Sequence, residues 1–295
     1  MMRTRKRPAV RPLDIAVILA LAGLAAYMGW RVEIRLDYDW RWELIGQYLL
    51  RRDASGALVP GVLTQGLLTT VRLSVWTMLA ATLIGTVMGL ARTSTSLFRR
   101  LAGQCYVGLV RNTPPLVLMF IFYFFLADQL LNALNVDAAV RAAPLWAQHA
   151  LALTMAPVNE LPGFLSGLMT LAVYEGAYIT EHVRAGVQSV ERGQFEAAYA
   201  LGLSPWQRMR HVVMPQALPR IVPPLAGQFI STIKDSAIVS VISIQELTFQ
   251  GMELMAATYM TFEIWITVAL LYLALTVACS LAARRVELRF RRGLS

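Results

Sequence analysis

The sequence predicts an all-α integral membrane protein with about six transmembrane helices. Three observations predict it. Hydrophobic residues make up 57% of the 295 positions and charged ones 15%, with a mean hydropathy of +0.53, which is more apolar surface than one soluble core can bury. Four uncharged runs, 15–30, 73–91, 112–127 and 264–283, approach the ~20 residues that cross a ~30 Å hydrocarbon layer. The arginines gather in every second segment between these runs, the pattern that keeps positive loops in the cytoplasm.

The elements follow in order. A basic N-terminus, 1–12, with Arg3, Arg5, Lys6, Arg7 and Arg11, precedes an added first span at 13–30. That span ends in Gly29-Trp30-Arg31, not in a small-x-small cleavage site, so it reads as a retained anchor. Residues 31–60 form an external segment, and a core of five spans is expected over 61–285. The second span, about 62–91, ends at the polar turn holding Arg92, Arg99 and Arg100. The third runs outward, and 132–160, with Pro144, Trp146 and Pro157, is an external excursion. The fourth and fifth spans, 161–183 and 224–249, are long enough to cross but carry internal charges. Between them lies a cytosolic loop, 184–223, and the fifth and sixth spans close a final hairpin around 251–261. The tail, 286–295, is basic.

The inward segments hold 18 basic residues and the outward ones six, offset by Glu33, Asp37, Asp39, Glu43 and Asp53. Both termini are therefore expected in the cytoplasm of a bacterial inner membrane. This placement explains the net charge of +9 without nucleic acid as a partner. Cys105 and Cys279 sit in or beside apolar runs with no partner at metal-ligand spacing, and no 20–50-residue repeat stands out.

The cytosolic loop carries its own helical punctuation. Residues 194–201 are good helix formers and stop at Gly202, the residue type that adopts the left-handed conformation beyond a helix end. Ser204-Pro205 supplies an N-cap followed by proline at the first helical position, which starts a second helix through Trp206, Met209 and Val213. Pro215 and Pro219 are expected to end that helix and turn the chain back to the membrane. On spacing alone, such a helix-turn-helix is equally well explained as plain packing.

The complete string is more specific. Glu196-Ala197-Ala198, Gly202, Val212 and Met214-Pro215 resemble the "EAA" coupling loop of bacterial ABC importer permeases. The strings Arg111-Asn112-Thr113-Pro114-Pro115-Leu116, Tyr174 through Glu181 to Arg184-Ala185-Gly186, Pro215-Gln216-Ala217-Leu218 and Lys234-Asp235-Ser236 resemble the polar amino-acid subfamily, of the histidine, glutamine, arginine and glutamate type. An added N-terminal span also occurs in general L-amino-acid permeases of that family. The resemblance implies a transport subunit that imports polar L-amino acids. It implies that the loop docks on a separate ATPase present in two copies, which binds the ATP and magnesium, and it implies a second permease subunit, identical or homologous, and a periplasmic binding protein. The chain has only two lysines, Lys6 and Lys234, and no Gly-x-x-x-x-Gly-Lys-Ser/Thr phosphate loop, so no ATPase site of its own is expected. No cofactor, metal site or catalytic residue is expected either.

An ionisable side chain in hydrocarbon costs about 2.5–3.5 kcal/mol on insertion scales, so each one calls for a partner or a wet cavity. The candidates for a substrate path are Tyr174, Tyr178, Glu181, Lys234, Asp235, Ser236 and Arg111, with Glu175 a further intramembrane charge. Tyr174, Tyr178 and Glu181 stand at i, i+4 and i+7, placing two phenols and a carboxylate on one helical face. That face suits a substrate ammonium, although Glu181 can equally pair with Arg184. Lys234 and Asp235 point about 100° apart on a regular helix; they either pair with other spans or mark a helix break that serves as a gate. Arg111 is placed at the cytosolic entrance of its span, with the prolines after it bending the helix. Two other functions compete with the importer. An ion-driven transporter would leave the elaborate cytosolic loop without a purpose, and a membrane-embedded enzyme finds no motif, since His149, His182 and His211 are scattered.

Overall fold

The computed structural model describes residues 12–36 and 38–291. The cationic residues at 3, 5, 6, 7, 11 and 292 and the acidic residue at 37, on which part of the orientation argument rests, lie outside the described residues, as do most of the N-terminal segment and the last four residues. The chain divides into two compact units, Met1–Trp42 and Glu43–Ser295. The first unit holds α1 (Pro12–Leu36), the added N-terminal span.

The second unit holds the rest. A short helix α2 (Ile45–Leu49) and a two-stranded antiparallel hairpin, β1 (Leu50–Arg52) and β2 (Leu58–Pro60), precede the long helix α3 (Val62–Arg92). The hairpin is a small exception to the all-α expectation. The segment before residue 61 also proves to be part of the core: Ile45 is buried against Leu63, Leu247, Met260 and Ile264. Thr64 ties it down by donating to the Leu49 carbonyl at 2.7 Å, and the charged run Arg51-Arg52-Asp53 hid that anchoring from a hydropathy reading.

Helix α4 (Leu97–Asn112) follows a turn, and α5 (Pro115–Ile121), a π-helical stretch at 122–127 and α6 (Asp128–Ala133) form the next spanning element. Two short helices, α7 (Val136–Arg141) and α8 (Leu145–Thr154), occupy the 132–160 excursion. Then come α9 (Leu161–Gln188), α10 (Arg192–Ala200), α11 (Pro205–Arg208), α12 (Met214–Asp235), a 3-10 stretch at 236–242, α13 (Leu247–Thr258) and α14 (Thr261–Arg291).

Five segments of the described residues are long and apolar enough to cross a membrane: Pro12–Arg31, Val62–Arg92, Pro115–Ala133, Pro205–Ile242 and Thr261–Arg285. Helix α9, with 28 residues, spans about 42 Å at 1.5 Å per residue, but Glu175, Glu181 and Arg184 lower its apolarity. It is the central helix. Its small and apolar residues pack against α3, where Gly85 meets the Ile179 side chain and Gly89 meets Val183. A methyl group at Gly85 would come within 2.5 Å of Ile179. Small residues four apart thus let two backbones approach in a medium where dispersion and close packing hold helices together.

The fifth span differs from its expected bounds. The helix begins at Met214, ten residues before 224, and continues through Pro219, Pro223 and Pro224. Pro215 does not end the preceding helix: the chain stays helical from α11 through the π-helical turn at 209–213, which lies directly before the proline's own helix. The interior prolines forfeit backbone bonds, and the burial of Val213, Ala217 and Ile221 against Val183 and Val187 offsets that loss. The far end also differs, because the helix stops at Asp235 and Gly251 belongs to a separate helix, α13, not to a turn.

That separate helix is fixed by a carboxylate. Glu246, fully buried, caps α13 by accepting from the Thr248 and Phe249 amides at 2.9 and 2.8 Å, and it also accepts from the Tyr272 hydroxyl at 2.7 Å. Thr70 of α3 donates to it at 3.4 Å and accepts from the Leu247 amide at 3.1 Å. One side chain therefore ties α3, α13 and α14 together.

Candidate functional site

The loop 184–223 has the predicted helix-turn-helix. Helix α10 carries Glu196, Ala197 and Ala198 in its middle, with Glu196 and Ala197 exposed and Ala198 buried. It ends in a Schellman arrangement: Gly202 is left-handed at φ 72°, its amide donates to the Tyr199 carbonyl at 2.9 Å, and the Leu203 amide donates to the Ala198 carbonyl at 3.2 Å. Ser204 then caps α11 reciprocally. The Gln207 amide donates to Ser204 Oγ at 3.3 Å, and Gln207 Oε1 accepts from the Ser204 amide at 2.9 Å, the capping box that Ser-x-x-Gln encodes.

The tip of this hairpin is unusually apolar for an exposed turn. Tyr199, Leu201 and Trp206 are 73%, 78% and 68% exposed, and Arg208 lies over the Tyr199 ring at 5.8 Å. A cluster of large exposed apolar side chains marks a surface made for a partner. Beside it a recess of about 720 Å³ is lined by Arg92, Arg100, Arg192, Phe195, Glu196 and Met209 among others. Val212, Met214 and Pro215 lie behind the tip, where the chain passes through a π-helical turn at 209–213 into α12. No chain break separates the loop from the span. Helix α11 is thus continuous with α12, and Arg220 of α12 is held to the Ser189 carbonyl at the end of α9.

The intramembrane candidates fall into three groups. Tyr174 and Tyr178 share one face of α9 as predicted: their hydroxyls are 3.2 Å apart and the rings meet edge to face at 5.3 Å. Arg111 joins them, with its guanidinium 5.2 Å above the Tyr178 ring, a cation–π contact. Arg111 sits on the last turn of the 16-residue α4, about 21 Å of helix beyond Leu97 and four residues before the candidate span Pro115–Ala133. Proline at 114 drives Thr113 to an extended ψ of 140°, ending one helix and starting the next where a bend was expected.

Glu181 separates from that pair. It forms an ion pair with Arg92 at the end of α3 and accepts from Arg184 Nε and Nη2 at 2.9 and 2.7 Å, so of its two readings the geometry supplies the pairing with Arg184 and adds a helix-to-helix tie. The third group surrounds Asp235. The helix break expected at 234–236 is present, as the α-helix gives way to a 3-10 helix at Ser236. Lys234 is exposed while Ser236 is buried, as their divergent directions require. Asp235 faces the buried Glu175 of α9.

Several polar residues escaped sequence reasoning. Gln228 donates to Glu175 Oε2 at 2.6 Å, and its carbonyl lies 3.2 Å from His182 Nε2, which makes a bridge between α9 and α12. The i to i+7 spacing of Glu175 and His182 on α9 was the available signal. The ties from Glu246 to Thr70 and from Arg92 to Glu181 were hidden because they join residues 176 and 89 positions apart.

Comparison with known proteins agrees with this geometry. Residues 81–292 match the family model described as the binding-protein-dependent transport system inner membrane component. The glutamine transport system permease protein GlnP of Escherichia coli (strain K12) is 33% identical over 230 residues, covering 78% of this chain and 93% of that protein. The glutamate/aspartate import permease protein GltJ of the same organism is 28% identical over 256 residues, covering 87% and 97%. Among solved structures, an amino acid ABC transporter crystallised with histidines superposes with a TM-score of 0.61 at 31% identity, covering 77% of this chain and 94% of that one. The loop, the spans and these matches converge: the chain belongs to the inner-membrane components of binding-protein-dependent transport systems.

Proposed function

We propose that this chain is the permease subunit of an ATP-driven importer of polar L-amino acids in a bacterial inner membrane, with both termini and the 184–223 loop in the cytoplasm. The observation that carries the reading is the capped hairpin of α10 and α11. It presents Glu196, Tyr199, Leu201 and Trp206 outward on an element continuous with α12. An ATPase groove accepts that tip, and ATP and magnesium bind in the ATPase, two copies of which serve the transporter. The relatives named for glutamine and for glutamate/aspartate transport support the substrate class.

The exposed Arg111, Lys234 and half-buried Tyr178 give this subunit a polar face within otherwise apolar helices. A second permease subunit, identical or homologous, covers that face and completes the path. Arg111 there holds a carboxylate, and the Tyr174–Tyr178 hydroxyls with Asp235 and Ser236 line the way. A periplasmic binding protein delivers the substrate.

Uptake measured with proton and sodium gradients collapsed and ATP maintained tests the reading against an ion-driven transporter. Amino-acid uptake that persists supports the importer. Uptake that stops with the gradient while ATP remains would overturn it.

A further inference from the structure

Three segments converge at the end of α3 remote from Arg92. Gln65, Thr69 and Arg72 stand at i, i+4 and i+7 on one face of α3. Glu160 immediately precedes α9, and Gln245 and Gln250 belong to the turn into α13 and to that helix. Together they line two adjoining recesses of about 270 and 230 Å³ that share Thr69, Glu160 and Gln245. Each is slightly smaller than the ~300–1,000 Å³ of drug-sized sites, a size that suits one amino acid.

The charges in this recess are arranged unusually. Among the described residues, neither Arg72 nor Glu160 has an ion-pair partner, although they line the same cavity. Opposite charges held apart in a partly desolvated recess forgo the attraction that would offset their dehydration. Burial accordingly pushes the Glu160 carboxyl above its ordinary value. The neighbouring amides have spare valence. Gln65 Nε2 donates to the Pro60 carbonyl at 2.9 Å and Gln250 Nε2 to Gln245 Oε1 at 3.4 Å, which leaves Gln65 Oε1 and Gln245 Nε2 without a hydrogen-bond partner among the described residues.

A free α-amino acid carries the complementary pair of charges, a carboxylate and an ammonium on one carbon. We propose that this recess is an outer binding site for a zwitterionic α-amino acid, in which Arg72 holds the carboxylate, Glu160 the ammonium, and the glutamine amides a polar side chain. The site is separate from the Arg111–Tyr178 contact. It rests on the reading of the chain as an amino-acid importer and gives the substrate its first contact with the permease on the outward side.

The test uses the intact complex of permease and ATPase in lipid nanodiscs, without binding protein. Radiolabelled L-glutamine, L-glutamate, L-arginine and L-histidine are titrated, and then the carboxyl-amidated and N-acetylated forms of whichever binds. The wild type is expected to reject each charge-deleted form at least tenfold. Arg72→Gln should erase discrimination against the amidated form alone, and Glu160→Gln against the N-acetylated form alone, while Arg72→Lys and Glu160→Asp retain both. A wild-type complex that binds no free amino acid, or variants that keep the wild-type discrimination, would overturn the proposal. So would variants that alter only the KM for loaded binding protein, since that assigns the charges to protein docking. Uptake from loaded binding protein by the same wild-type complex separates the two levels: if it persists, only the recess assignment falls, and if no amino acid is transported, the importer reading falls with it.

Discussion

Consider alanine at Gly186, where α9 crosses α12. A methyl group there would overlap Ile221 Cγ1 and stand 3.0 Å from its Cδ1. Ile221 is only 3% exposed and is packed among Val183, Val187, Val213 and Ala217, so it has no free space into which to rotate. Overpacking of this kind costs about 1–3 kcal/mol, or roughly 5- to 150-fold in the folded population. The obstruction is one side chain, and Ile221→Ala removes it. Ile221→Ala alone leaves a cavity and costs about 2–5 kcal/mol, whereas the double variant Gly186→Ala/Ile221→Ala refills part of that cavity with the new methyl. Its loss should therefore fall short of the sum of the single losses by about 1 kcal/mol or more. Thermal inactivation of the detergent-purified protein measures the stabilities, and uptake in cells measures whether the loop still drives the span. Strictly additive losses, or wild-type stability and uptake in Gly186→Ala, would refute the claim that α9 and α12 are in tight contact beneath the loop.

Three further outcomes are expected. Glu181→Gln leaves Arg92 and Arg184 facing one another without their shared carboxylate, and because the cluster is 15–31% exposed the loss of stability should be about 1–3 kcal/mol, below that of a fully buried pair; uptake falls with it, and unchanged melting and uptake would remove the tie from the account. Glu246→Ala strips the acceptor from two backbone amides and the Tyr272 hydroxyl, at about 1–3 kcal/mol for each stranded donor, so the variant should fail to accumulate in the membrane, and normal accumulation on a membrane immunoblot would contradict this. The Asp53 carboxyl is held below its ordinary value by hydrogen bonds from the Ser55 side chain and the Ala57 and Ser55 amides. Its contribution to the β1–β2 turn is therefore complete above pH ~4 and is lost as the pH falls through the lowered folded-state value. The protection of the Ser55 and Ala57 amides against exchange, taken relative to the intrinsic rate at each pH, should fall only on acidification, and equal protection in the wild type and Asp53→Ala at neutral pH would count against it.

What the sequence could disclose depended on how local the physics was. Apolar run length and arginine placement are properties of single segments, so the spans were legible. Gly202 and Ser204-Pro205 encode their cap geometry within a few residues, so the hairpin was legible as well. The register of α12 was not. Proline has a strong local penalty, and only the packing of Ala217 and Ile221 against α9 keeps the helix running through three of them. The charges divided in the same way. Tyr174 and Tyr178 met because they are one helical turn apart, while Arg111 reached them only through the fold, and Glu246 and Arg72 acquire their significance from segments distant in sequence. The hairpin at 50–60 was missed because three-residue strands carry too little alternation to read.

The account depends most on the hairpin of α10 and α11 being the seat of an ATPase. Glu196→Lys reverses a charge on its exposed face, and Gly202→Asp places a side chain at a left-handed position, disturbing the Schellman turn without touching a span. Co-purification of the ATPase with each variant from the membrane, alongside amino-acid uptake, is the direct measurement. The account predicts permease at wild-type levels in the membrane, with ATPase association and uptake both lost or strongly reduced. Wild-type ATPase association together with wild-type uptake in both variants would contradict it.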